Sequence, residues 1–139
     1  MSTTAKSKNW LLPLEGWIKI NTDAWDRDRG SLGAALAKDD KGGTLLAYST
    51  FFEFDDPIVA ETATLLEGIR LARDHDFRHV AFEVDCEVVT KAISGHVKYL
   101  PWEFQSLTME CKMLLHNFDL REIEWIPREI NTGAHNLAI

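Results

Sequence analysis

The stretch Trp17-Ile18-Lys19-Ile20-Asn21-Thr22-Asp23-Ala24-Trp25 alternates in character from Ile18 onward and then delivers an acid. Ile18, Ile20 and Thr22 fall on one face of a period-2 pattern, and Lys19, Asn21 and Asp23 fall on the other, as a β-strand requires. Asp23 therefore stands late in a central strand, on its more polar face. A carboxylate there is costly unless it is solvated, hydrogen-bonded or bound to a cation. The reading of the whole chain turns on whether other acids converge on it.

Downstream of Trp25, Asp26 to Gly30 reads as a charged turn, Leu32 to Lys38 as a second strand, Asp39 to Gly43 as a glycine-bearing turn, and Thr44 to Phe54 as a third strand. Short turns make these three strands antiparallel, with Phe51, Phe52 and Phe54 in core or edge packing. Upstream, residues 1–12 form a tail, with Trp10 set against the domain edge, and residues 13–139 form one domain. Pro57 opens a helix in which Ile58, Leu65, Ile69 and Ala72 recur at helical spacing up to about Asp74, and Glu61 lies at the margin of that stripe. His79 to Asp85 alternates again, with Val80, Phe82 and Val84 on one side, and a second aspartate closes a strand.

Glu87 to Ser94 reads as a short helix with Val88, Val89, Ala92 and Ile93 inward and Gly95 as its C-cap. After Pro101 a stronger helix carries Phe104, Leu107, Cys111, Leu114, Leu115 and Phe118 at core spacing. Asp119 to Ile126 is a last strand stopped by Pro127, and Arg128 to Asn131 leads into a final helix. A strand reached through a helical crossover lies parallel to a neighbour in its sheet. If the fourth strand pairs with the first, Asp23 and Asp85 stand at the carboxyl ends of adjacent parallel strands, where open α/β sheets place their sites.

The totals bound the function. A chain of 139 residues, 45% apolar and 27% charged, suits one soluble domain. No apolar run approaches the roughly 20 residues that span a bilayer, and the opening MSTTAKSKNW lacks the apolar core of a secretory signal. An intracellular protein, nuclear or cytoplasmic, with no membrane partner is expected. Cys86 and Cys111 are too few and too far apart for a disulfide framework or zinc site and are expected buried and reduced. The net charge of −7 argues against strong non-specific grip on phosphate backbones.

The segments KINTDA (19–24), AETATLLEGIRLA (60–72), VDCEVVTKAI (84–93), WIPREIN (125–131) and NTGAHNLA (131–138), in that order, resemble the ribonuclease H-like domain, especially the form carried by plant non-LTR retroelements and their domesticated copies. The likeness runs from about Leu14 to the C-terminus. It implies an α/β fold with a five-stranded mixed sheet, order 3-2-1-4-5 with strand 2 antiparallel, flanked by helices. It also implies hydrolysis of the RNA strand of RNA–DNA hybrids, with Mg²⁺ or Mn²⁺ as cofactor.

The resemblance maps the metal-binding, catalytic acids onto Asp23, Glu61 and Asp85, and the fourth ligand onto His135. Three close carboxylates repel unless a cation sits among them, and Mg²⁺ favours oxygen ligands. Two such ions about 3.5–4 Å apart activate a water and stabilise the leaving 3′ oxygen. Each acid also has an ordinary reading: Asp85 as a helix N-cap, Glu61 as a first-turn acid, Asp23 as a turn cap.

Two departures stand out: His135 replaces the acid of the family's NxxADxLA, and Ala24 replaces the glycine usual after the first aspartate. The face for nucleic acid is thinly marked. Lys91, Lys98 and Lys112 are offset by Glu87, Glu103 and Glu110, while Arg27, Arg29 and Arg128 read as solvated loop charges within reach of phosphates. Trp25 and Trp102 are expected to pack, with stacking on a base or sugar as the alternative. The alternative is a non-enzymatic module that binds a protein partner or nucleic acid weakly.

Overall fold

The computed structural model describes residues 12–95 and 101–131. Its elements are β1 (Ile18–Arg27), β2 (Gly30–Lys38), β3 (Thr44–Phe52), α1 (Pro57–Asp74), β4 (His79–Val84), α2 (Glu87–Ile93), α3 (Trp102–Leu115) and β5 (Leu120–Trp125). Residues 1–11 of the tail with Trp10, Lys98, the final helix and His135 lie outside the described residues.

The sheet has order β3-β2-β1-β4-β5. The β1–β2 and β2–β3 pairs are antiparallel, and β1–β4 and β4–β5 are parallel. The order and directions are those the resemblance implied. The first hairpin is tighter than its charged sequence suggested: Arg27 pairs with Gly30, leaving only Asp28 and Arg29 in the turn. Gly30 does not close a turn but begins β2, pressed against β3, where an added Cβ would lie 2.1 Å from the Phe52 carbonyl oxygen. Arg27 accordingly belongs to a strand and not to a loop. The third strand stops at Phe52, and Phe54, beyond its end, stacks on Phe52 with ring centroids 5.7 Å apart. Phe51 points largely to solvent.

Asp56 caps α1 by accepting a hydrogen bond from the Ile58 N–H at 2.9 Å, and Pro57, which has no N–H to lose, takes the first helical position. Leu65, Ile69 and Ala72 are fully buried against the sheet, as their spacing predicts. The helix can approach that closely because small residues face it. A Cβ on Gly33 of β2 would lie 2.2 Å from Thr64 Oγ1, and one on Gly68 would lie 3.2 Å from Thr22 Cγ2. Val80, Phe82 and Val84 complete this core with Ile20 and Phe118, the last edge-on to Phe82 at 5.8 Å.

The polar face of β1 is covered as thoroughly as its apolar one. Lys19 and Glu83 form a buried ion pair at 3.0 Å, and Asn21 Nδ2 donates to Glu83 Oε1 at 2.9 Å. A buried charge pair of this kind favours one arrangement over its neighbours, because slipping β4 by a residue would leave both charges unpaired.

Two expectations of packing fail. Val88 is 41% exposed because α2 starts at Glu87 and turns Val89 and Ala92 inward, which leaves Val88 a third of a turn off the buried face. Trp102, at the first position of α3, is 78% exposed. Cys86 and Cys111 are free thiols, half-buried and buried. Burial raises both, Cys111 to about 12, so neither is a nucleophile at neutral pH. No helix among the described residues is long and apolar enough to cross a membrane.

Candidate metal centre

The parallel register of β1 and β4 makes the site. Asn21 lies opposite Glu83 and Thr22 opposite Val84, so the next residues along the two strands are Asp23 and Asp85. The chain after β5 ties down the same end of the sheet. The Ile126 N–H donates to the Val84 carbonyl at 2.9 Å, and Trp125 Nε1 donates to the Asp85 carbonyl at 3.3 Å. Glu61 comes from α1, whose close seat on Gly33 delivers it over β1. Its Oε1 accepts a hydrogen bond from the Ala24 N–H at 3.2 Å. One carboxylate oxygen from each of Asp23, Glu61 and Asp85 lies within 4.8 Å of the others.

These are not the ordinary positions for such acids. Cys86, not Asp85, stands at the N-cap of α2. No acid lies in the first turn of α1, where Glu61 is the fifth residue. Asp23 is five residues short of the hairpin turn. The side chains of Asp23 and Asp85 are 0% and 1% exposed, and Glu61 is 6% exposed.

Burial first, and then the charges of Asp85 and Asp23, hold the Glu61 carboxyl well above its usual range. Burial and then Asp23 raise Asp85 to about 6, with Arg128 and Asn131 pulling the other way. Glu61 Oε2 and Asp85 Oδ2 accept no hydrogen bond among the described residues. Buried, mutually repelling oxygens with unused lone pairs fit a hard divalent cation, which satisfies them and lowers their proton affinity at once.

Two neighbours were not singled out as site residues by sequence. Arg128, taken as a solvated loop cation, reaches over the acids: Nη2 is 3.6 Å from Asp23 Oδ1, and Nε is 3.5 Å from Asp85 Oδ2. Its guanidinium carbon lies 5.2 Å from the centroid of the Trp25 ring. Asn131 is buried and donates from Nδ2 to the Thr22 carbonyl at 2.8 Å, fixing the chain beside Asp23. Both lie within WIPREIN, where a polar pair follows a strand-ending proline, and that is the signal that would have found them.

Ala24, Trp25, Asp26, Pro57, Glu61 and Arg128 line an open cleft of about 310 Å³ at the mouth of the site. The structure thus brings together three of the four expected ligands, and the fourth, His135, lies outside the described residues. Of the remaining basic candidates, Lys91 is engaged by Glu87 at 3.7 Å.

The fold is that of the ribonucleases H. RNase H1 from the halophilic archaeon Halobacterium salinarum superposes with a TM-score of 0.82 at 20% identity, over 88% of this chain and 94% of that one. The N-terminal RNase H domain of rv2228c from Mycobacterium tuberculosis gives 0.81 at 23% identity, over 88% and 90%. LC11-RNase H1, isolated from compost by a metagenomic approach and solved in complex with an RNA/DNA hybrid, gives 0.76 at 22%, over 86% and 92%. Residues 21–139 match the family described as reverse transcriptase-like, and the chain belongs to that family. No curated protein matches it.

Proposed function

We propose that this protein is a divalent-cation-dependent endonuclease that hydrolyses the RNA strand of RNA–DNA hybrids. The observation that carries the reading is the cluster of Asp23, Glu61 and Asp85, with oxygens within 4.8 Å at the carboxyl ends of two adjacent parallel strands. Family membership supports it, as does the bound hybrid in LC11-RNase H1. Asp23 and Asp85 would share one Mg²⁺ or Mn²⁺, Glu61 would complete its shell, and His135 would hold a second. Bound ions would supply the lowered water pKa and the charge neutralisation at the leaving 3′ oxygen that carboxylates alone lack. The protein's own part is to fix the acids rigidly, through the Glu61–Ala24 hydrogen bond and the Lys19–Glu83 ion pair. The domain would span residues 13–139.

A second reading, an interaction module without activity, is favoured by one observation: α3 turns Trp102, Met109 and Met113 to solvent.

Cleavage of an RNA–DNA hybrid labelled on either strand separates the two. The endonuclease should cut only the RNA strand, more strongly in Mn²⁺ than in Mg²⁺, since imidazole suits the softer ion. Asp85→Asn should be silent. His135→Ala should lower the rate sharply, and His135→Asp should preserve it or improve activity in Mg²⁺. An intact hybrid in both metals with the folded wild type would favour the module.

A further inference from the structure

Arg128 holds a position that the proposed nuclease reading does not explain. Its guanidinium lies 3.6 Å from Asp23 Oδ1 and 3.5 Å from Asp85 Oδ2. Both distances are within ion-pair reach yet well beyond the roughly 2.7–2.9 Å of a charge-assisted hydrogen bond. The group is attracted to the acids without being locked to them. It comes from the solvent side: the Arg128 side chain is 51% exposed, above carboxylates that are almost completely buried.

The backbone beneath Arg128 is fixed on both sides. The Ile126 N–H is bonded to the Val84 carbonyl, and the Asn131 N–H bonds back to the carbonyls of Pro127 and Arg128 at 3.3 and 3.1 Å. Any movement therefore belongs to the side chain, and the Trp25 ring at 5.2 Å gives the guanidinium an aromatic face on which to rest.

We infer that Arg128 is the stand-in counter-ion of this site, neutralising Asp23 and Asp85 until a divalent cation takes the same oxygens, so that cation loading releases the guanidinium. The inference rests on the cation-binding reading of the same carboxylates. Two positive groups cannot both sit against this pair without repelling, so each weakens the other's hold, and by linkage the effect is reciprocal. Arg128 here is a positioning residue that sets the cation affinity of the acids.

The test is calorimetric titration of MnCl₂ into the full chain, as wild type, Arg128→Ala and Arg128→Lys. Ion pairs that are half solvated on the cationic side contribute modestly, so Arg128→Ala should lower the Mn²⁺ dissociation constant by about threefold to tenfold. Arg128→Lys, which keeps the charge, should stay near the wild type. An unchanged or weakened affinity in Arg128→Ala, with wild type binding normally, would overturn the inference and leave the metal reading standing. Binding absent from both proteins would overturn the two together.

A second measurement leaves Arg128 unchanged in the protein tested. The emission of Trp25, taken as the difference between wild type and Trp25→Phe, should change as MgCl₂ saturates the site, because the guanidinium released from the acids shifts its position over the ring. A flat difference signal through saturation would also overturn the inference.

Discussion

At the scale of the residue, the site is a set of acids held where they are least comfortable. Asp85 keeps its proton up to about pH 6 in the folded chain against 3.8 for an ordinary aspartate. Between those values the folded state binds more protons than the unfolded one, so stability falls as pH rises. Below 3.8 the carboxyl is protonated in both states and costs nothing. Above about 6 it is ionised in both, and the full penalty is present. Glu61 is displaced in the same direction.

A cation reverses the sign of this effect, because it competes with protons for the same oxygens and binds well only above about pH 6. In EDTA at neutral pH, Asp85→Asn should therefore raise the melting temperature, by about 5 °C on the scale for a domain of this size. The same variant should flatten the fall in stability between pH 4 and pH 7 and lose any cation-induced rise. Differential scanning calorimetry with and without EDTA checks all three. A fall in the melting temperature of Asp85→Asn in EDTA would show that the carboxylate stabilises the fold and is not waiting for a cation.

At the scale of the element, the site depends on how closely α1 sits on the sheet. Gly33 lies opposite Ala24, the residue whose N–H holds Glu61, and a Cβ there would meet Thr64 Oγ1 at 2.2 Å. Gly33→Ala should cost about 1–3 kcal/mol through overpacking and weaken cation binding by lifting Glu61. Adding Thr64→Ala removes two of the three close atoms and leaves Phe52 Cε2 at 2.9 Å, so the double variant should regain part of the loss. Equal costs in the presence and absence of Thr64→Ala would show that the two residues are not coupled.

Most of this architecture was legible beforehand. Alternation marked β1 and β4, and the Pro57 start and Leu65–Ile69–Ala72 spacing marked α1. The crossover rule made β4 parallel to a neighbour, while its place beside β1, and so Asp23 beside Asp85, came from the family resemblance. Local pattern could not show that the polar face of β1 is buried, because Lys19 is satisfied by Glu83, 64 residues away. It could not bring Arg128 to the acids for the same reason: that contact exists only once β5 and the chain after it are in place. Boundaries moved where charge looked like a turn, as at Asp26 and Arg27, since edge polarity and hairpin pairing are indistinguishable in sequence.

At the scale of the molecule, the proposed function sets an acidic chain against a polyanionic substrate. Part of its positive charge is already committed: Arg70 to Glu67 and Glu110, Arg73 to Asp74, Arg78 to Asp119, and Lys19 to Glu83. With a net charge of −7, attraction to a phosphate backbone has to come through cations gathered at the acid cluster, with little from a basic surface. Placement of those ions is therefore the most direct measurement: crystals grown with MnCl₂, with anomalous differences recorded at the manganese edge. The expected result is a peak bounded by Asp23, Glu61 and Asp85. Manganese found only at surface carboxylates, with these three oxygens clear of density at saturating concentration, would contradict the assignment of this cluster as the metal centre.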